Sequence, residues 1–286
     1  MRYIDLHVHS NCSDGTFSPS ELVAHAAKKN LAAFALTDHD TTAGVEEALR
    51  AAEGTGIEVI PGIELSTHYQ GKDIHIVGIE IDYRSDRFQE QLLHFQNSRD
   101  IRNQKMIAKL QEHHISISWD EMKTMFEDSV WTRAHFANYL RKKGYVKTID
   151  DAFTRYLGDQ APCFVPREKV TPSQAIRLIR DAGGIPILAH PLEYHMSEKE
   201  LGALADLLRK DGLIGIEAIY SKHVGYQEDT MRHFARLHHL CISGGSDFHG
   251  LIHPNIDLGS GRGNLKIPYE LLDIMRSCIK EQKGLN

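Results

Sequence analysis

Cysteine is scarce in this chain, and its four residues, Cys12, Cys163, Cys241 and Cys278, lie far apart with no CxxC pair among them. That spacing excludes a disulfide framework and a zinc-finger site, and reads as reduced thiols in a cytoplasmic protein. An excess of positive charge is missing too. Thirty-three Lys and Arg stand against 39 Asp and Glu, a formal charge of −6, so this is not a surface built to grip long duplex DNA; a short, locally recognised nucleotide stays open. No apolar run reaches transmembrane length, and MRYIDLHVHS turns polar before a signal-peptide core could form. Neither export nor membrane insertion is expected.

What is present in quantity is histidine. Apolar residues at 41% and charged residues at 25% are ordinary for a globular enzyme, and 286 residues suffice for one large α/β domain, alone or with an insertion. Eighteen histidines against two tryptophans is the departure, a surplus of the side chain that titrates near neutrality and most often binds metals.

Seven short apolar runs have strand length: YIDLHV from Tyr3, AAFALT from Ala32, IEVIPG from Ile57, IHIVGI from Ile74, IPILAH from Ile185, IGIEAI from Ile214 and LCISGG from Leu240. Helical patterns follow most of them, which predicts repeated βα units and a parallel sheet buried on both faces. Helix starts are marked by Ser18-Pro19, Thr41, Thr171-Pro172 and Ser197. From about Arg84 to Pro166 the alternation stops and the text is helical, over Phe88 to His113, Asp120 to Glu127, Arg133 to Lys143 and Asp150 to Leu157. This predicts a barrel domain from residues 1–84 and 166–286, interrupted by an all-helical insertion at 85–165.

Metal-type side chains sit where the strands end. Strand alternation puts Asp5, His7 and His9 on one face, and two imidazoles on one face can grip one cation. Asp247 and His249 leave the last strand with the same spacing. Between them come His39 in TDHD, Glu64 in PGIELS, His75 opening the fourth strand and His190 in AHP. Apart from His75, all fall at the carboxyl ends of apolar runs, the face on which barrel enzymes build active sites. One such histidine is usually a core residue, but five of seven strands ending this way favour a metal centre. The pairs His113-His114 and His238-His239 are predicted to be bystanders on helices.

The set HVHS, SDGT, TDHD, PGIE, HIVG, AHP and SDFH resembles the ordered motifs of the polymerase and histidinol phosphatase (PHP) family of metal-dependent phosphoesterases. TRAHFANYL in the insertion is similar to an element of the branch that includes nucleoside 3′,5′-bisphosphate phosphatases and short-RNA 5′-3′ exonucleases. The resemblance implies a distorted (β/α)7 TIM-like barrel, an α/β fold, with three divalent metals. His7, His9, Glu64 and Asp247 would hold one, Glu64, His75 and His190 a second, and Asp14, His39 and His249 the third. Several family members carry histidine where Asp14 stands here. Mixed imidazole and carboxylate ligands suit Mn²⁺, Fe²⁺ or Zn²⁺, with Mn²⁺ favoured.

Such a cluster would supply hydroxide as nucleophile, so no protein nucleophile is needed. The leaving oxygen would be served by the third metal, Asp40 or His223. Arg133 and His135, in the first turn of a helix starting near Thr132, are expected to form an anion site for a second phosphate. From Arg99 to Lys147 there are ten Lys and Arg against six Asp and Glu. The expected reaction removes the 3′-phosphate of a nucleoside 3′,5′-bisphosphate, and the same geometry would shorten 5′-phosphorylated RNA from its 5′ end. Histidinol-phosphate hydrolysis, an amidohydrolase and an inactive PHP scaffold are the alternatives. The amidohydrolase is disfavoured because no strand ends in Lys.

Overall fold

A computed structural model describes residues 2–127, 129–166 and 170–284. Seven strands form one sheet in chain order: β1 (Ile4–Val8), β2 (Ala33–Leu36), β3 (Glu58–Tyr69), β4 (Lys72–Ile79), β5 (Ile185–Leu188), β6 (Gly215–Tyr220) and β7 (Cys241–Gly245). The sheet curls until its edges meet. His9 N–H donates to Phe248 C=O at 3.0 Å and Asp247 N–H to His7 C=O at 3.0 Å, so the barrel is nearly closed beside the residues just past β1 and β7. Each of the seven apolar runs becomes a strand, buried on both faces along β1, β2, β5 and β6.

The expectation of a wholly parallel sheet needs correction at β4. It runs antiparallel to both β3 and β5, while the remaining pairs are parallel. The cause is a two-residue turn: Gln70 and Gly71 both take positive φ, at 49° and 82°. Two such residues close a hairpin, and leave no length for the crossover that a parallel partner requires. β3 therefore continues to Tyr69, beyond the apolar run that marked it, with Ile63 and Leu65 packed against the surrounding helices and Glu64 between them on the opposite face. His75 consequently sits inside β4, opposite Ser66, rather than opening it.

Around the barrel lie α1 (Pro19–Lys28), α2 (Val45–Ala52), α7 (Pro172–Asp181), α8 (Glu198–Lys210), α9 (Gln227–Leu237) and α10 (Glu270–Gly284). Ser18, Thr171 and Ser197 cap α1, α7 and α8, each completing a reciprocal box with Glu21, Gln174 or Glu200. Thr41 caps nothing. Its hydroxyl accepts from Ala43 N–H in a local turn, and α2 starts later, after Gly44.

The helical segment contains α3 (Asp86–Glu112), α4 (Trp119–Met125), α5 (Arg133–Lys142) and α6 (Ile149–Ala152), which runs on into a π-turn at Phe153–Leu157. It packs a hydrophobic cluster of its own around Met106, Leu110, Phe136, Leu140 and Leu157. α3 belongs to both bodies, because Phe88, Leu92 and Phe95 in its first half pack with the barrel core. The two histidine pairs terminate α3 and α9 rather than lying along them: His113 and His238 are the caps, and His114 and His239 take positive φ. Among the described residues, no helix is long and apolar enough to cross a membrane.

Candidate metal centre

Glu64 is the hub. Its Oε1 lies 2.8 Å from His75 Nδ1 and 3.1 Å from His190 Nε2; its Oε2 lies 3.3 Å from His7 Nε2, 3.3 Å from His9 Nε2 and 3.0 Å from His39 Nδ1. Two further carboxylates border this group. Asp247 Oδ1 stands 3.6, 3.4 and 3.5 Å from His7, His9 and His249, and Asp14 Oδ1 stands 3.1 Å from His249 Nε2 and 3.9 Å from His9 Nδ1. All nine side chains named from the strand ends and motifs thus form one contact cluster, of which Asp14, His39 and His75 line a hollow above it.

These residues fit metal ions. Donor atoms bound at ~2.1 Å in a tetrahedron stand about 3.4 Å apart, inside the range of separations just given. Three sets have donor atoms close enough to share a cation: His9, Asp14, His39 and His249; His7, His9 and Glu64; and His39, Glu64 and His75. His9 and His39 each belong to two sets, where the sequence-based grouping gave each to one. A second observation is independent of distance. His7 Nε2, both ring nitrogens of His9, His39 Nδ1, Asp14 Oδ1 and Glu64 Oε2 are all buried without a hydrogen-bond partner. Buried polar atoms are rarely left so, and six orphans converging on one point call for a cation.

The electrostatics agree. Burial opposes charge on Glu64, yet His39, His7 and His75 outweigh it and hold the carboxyl well below its usual range. Asp14 and Asp247 are held down in the same way, against burial, by His249 and its neighbours. Burial also opposes charge on His9, but Asp247 and Glu64 raise it to about 10.

The backbone supporting this hollow is strained. Asp40, His190 and Asp247 take φ of 51°, 25° and 57°, conformations that non-glycine residues keep only when their surroundings enforce them. The enforcement is visible in a ring of buried acids and hydroxyls outside the ligands. Glu217 Oε1 sits 3.2 Å from His7 Nδ1, and Oε2 accepts from His190 N–H at 2.7 Å. Tyr220 donates to Asp247 Oδ2 at 2.8 Å. Asp5 accepts the backbone N–H of Ser246 and Gly259, tying β1 to the chain after β7. Asp38 accepts from Ser10 and Ser13, shaping the turn that carries Asp14, and Thr132 donates to Asp14 Oδ2 at 2.7 Å. Sequence reasoning named none of Glu217, Tyr220, Asp38 and Thr132 as supports. A signal existed for Glu217: a glutamate in the middle of the apolar run IGIEAI is a buried charge that demands a partner.

Three expectations change. Asp40 is no acid for a leaving group. It is buried, receives Arg99 Nε at 2.7 Å and Ser66 N–H at 3.0 Å, and so is spent on joining α3 to the barrel. His135 is no cation for a phosphate. Its Nδ1 accepts Thr132 N–H at 3.0 Å in the helix cap, and burial pushes its pKa down to about 4, leaving it neutral. His223 stands half-buried against the Tyr220 ring, with both nitrogens lacking partners, and outside the lining of the hollow over the ligands. Arg133 does reach that hollow, where Asp73 at 3.0 Å and Asp159 at 2.8 Å hold its guanidinium. Arg102, which the sequence reading did not single out, lines the same space.

The PHP domain profile matches residues 5–158. The chain is 39% identical over 245 residues to a 5′-3′ exoribonuclease of Haemophilus influenzae, covering 86% of this chain and 89% of that one. It is 35% identical over 253 residues to a 3′,5′-nucleoside bisphosphate phosphatase of Chromobacterium violaceum, covering 87% and 88%. A solved Chromobacterium violaceum structure, described as an amidohydrolase with bound sulfate and no metal, superposes with a TM-score of 0.86 at 31% identity, covering 96% of each chain.

Two outcomes follow from this geometry. A ligand imidazole is aimed by the carboxylate on its other nitrogen, and loss of such a partner weakens metal binding about 10–100-fold. Glu217→Gln is therefore expected to lower Mn²⁺ affinity at least tenfold in a calorimetric titration; unchanged affinity would show that Glu217 does not orient His7. The second concerns protons. A cation must displace the proton that Asp247 and Glu64 hold on His9 up to about pH 10, so binding weakens as pH falls. In weakly buffered solution near neutrality, Mn²⁺ addition is expected to release at least one proton per chain, and release of none would contradict it.

Proposed function

The chain belongs to the PHP domain family, and from that premise we propose that it removes the 3′-phosphate of nucleoside 3′,5′-bisphosphates and trims short 5′-phosphorylated RNA from its 5′ end. It is a metal-dependent phosphoesterase, a hydrolase of phosphoric ester bonds. The substrate is the proposal. The observation that carries it is the hollow over the ligands, about 160 Å³, in which Asp14, His39 and His75 share the walls with Arg133 and Arg102. Guanidinium groups beside a metal cluster offer a second phosphate a charge-assisted, bidentate anchor, and a bisphosphate presents two such groups at a fixed separation. Relatives named for RNA and for nucleoside bisphosphates support the same reading. A histidinol-phosphate substrate would have no use for the second cationic wall, and an inactive scaffold would have no reason to keep every ligand in place.

In this reading the centre holds three divalent cations, Mn²⁺ favoured, on His7, His9, Glu64 and Asp247, on Glu64, His75 and His190, and on Asp14, His39 and His249. Bound cations of this kind neutralise phosphoryl oxygens and lower the pKa of water. The protein's own part is to orient. Arg133 and Arg102 hold the 5′-phosphate, Glu217 and Tyr220 fix the ligands, and residues 85–165 form the domain that brings Arg133 over the barrel of residues 1–84 and 166–286. With Asp40 spent on Arg99, and His223 outside the hollow, neither is assigned a proton. Four free cysteines suit the reducing cytoplasm.

Phosphate release from adenosine 3′,5′-bisphosphate is expected to exceed that from histidinol phosphate by orders of magnitude in kcat/KM. A charge-assisted hydrogen bond contributes about 1.5–3 kcal/mol, so Arg133→Ala should lower kcat/KM for the bisphosphate about 10–100-fold and leave a simple aryl phosphate within threefold. Equal losses on both would refute the second-phosphate anchor.

A further inference from the structure

We infer that a second hollow, on the other side of α5, is the channel for the part of an RNA chain lying beyond the scissile phosphate. This rests on the reading above and deepens it by separating what an oligonucleotide needs from what a bisphosphate needs. The hollow measures about 310 Å³ and is lined by Gly15, Thr16, Asn138, Arg141, Lys142 and Leu251. It meets the hollow over the ligands at Asp14 and Ala134, which border both. The helix explains the division. Ala134, Asn138, Arg141 and Lys142 recur at the spacing of one helix face, whereas Arg133, one residue from Ala134, faces the ligands.

The chemistry requires such an opening. Hydrolysis forms a bond from the water oxygen to phosphorus and breaks the bond from phosphorus to the 3′-oxygen, which takes up a proton. With the attacking and leaving oxygens in line, the first nucleoside lies on the leaving side, its 5′-phosphate on Arg133. The next nucleoside is esterified to one of the remaining phosphoryl oxygens and so projects sideways out of the ligand hollow. In a bisphosphate that oxygen carries nothing. Asp14 is both a proposed ligand and the wall between the hollows, so a chain leaving the centre past it enters the second.

The charge of that space suits a nucleic-acid backbone. Arg141 and Lys142 are exposed, and no carboxylate among the described residues pairs with either. Arg141 donates to Asn138 Oδ1 at 3.0 Å, and the Lys142 ammonium stands 5.5 Å from the Phe126 ring centroid. Both cations are thus held on the channel wall with their charge unspent. Contacts of this kind go to phosphates, so they carry affinity and no sequence preference. A further hollow on α3, lined by Ile101, Arg102, Lys105 and Pro166, is assigned nothing.

The test is the double variant Arg141→Glu, Lys142→Glu in the metal-loaded enzyme. One arm measures, by fluorescence polarisation, binding of a 5′-phosphorylated pentanucleotide RNA whose first linkage is an uncleavable 3′-methylenephosphonate, across a salt series. The other measures turnover of adenosine 3′,5′-bisphosphate. The variant is expected to bind the pentanucleotide at least tenfold more weakly, with the slope of log affinity against log salt shallower by about 1.4, two phosphate contacts at ~0.7 each. Bisphosphate kcat/KM should stay within twofold. Unchanged pentanucleotide affinity and slope would overturn the channel, as would equal losses on both substrates. If the wild type does not hydrolyse the bisphosphate, the substrate reading fails instead, and the binding arm still decides the channel.

Discussion

One buried carboxylate surrounded by five imidazoles organises this molecule. Glu64 is wholly inaccessible to solvent, and a carboxylate there is tolerable only with compensating positive charge around it. His7, His9 and His190, whose pKa values the surrounding carboxylates raise against burial, supply part of that charge in protonated form, and divalent cations supply it more completely while leaving the ring nitrogens as lone-pair donors. The cluster is thus an arrangement whose electrostatic requirements a metal satisfies better than protons do.

The architecture serves this point. Parallel strands deliver His7, His9, His39, His190, Asp247 and His249 at or just past their carboxyl ends, where side chains from separate strands converge. The reversed β4 is the exception that completes the ring: the hairpin at Gln70-Gly71 brings His75 back along β3, to 2.8 Å from Glu64 Oε1. The helical segment is locked onto the same region by Arg99, whose guanidinium donates to Asp40, to Ser66 Oγ at 2.8 Å and to Trp131 C=O at 3.3 Å. Arg133 and Arg102 are thereby held over the histidine and carboxylate cluster, so the segment that carries them cannot drift from it without exposing a buried ion pair.

Much of this was legible in the chain. Short apolar runs ending in His, Glu or Asp mark both the strand and the address of a side chain in the cluster, because a polar side chain at the end of a buried strand needs a purpose. Strand direction was not legible, since apolar periodicity is the same whichever way a strand runs; Gln70-Gly71 was the hint, and it lacks the Asn-Gly form that announces a tight hairpin. His135 misled for a physical reason. The third residue of a helix is the place both for binding an anion and for capping the helix, and only the neighbours reveal that its Nδ1 is occupied by Thr132. Supports such as Glu217 and Asp38 stayed hidden because their partners are ring and backbone N–H groups distant in the chain, which no local pattern displays.

The central claim is that Glu64 lies at the heart of a multinuclear metal centre. Anomalous diffraction at the manganese edge, from crystals grown with Mn²⁺, addresses it most directly. Two or three peaks within about 4 Å of one another are expected, at least two of them in contact with the Glu64 carboxylate and lost in Glu64→Ala. Peaks confined to the surface, or a single ion that does not touch Glu64, would contradict it.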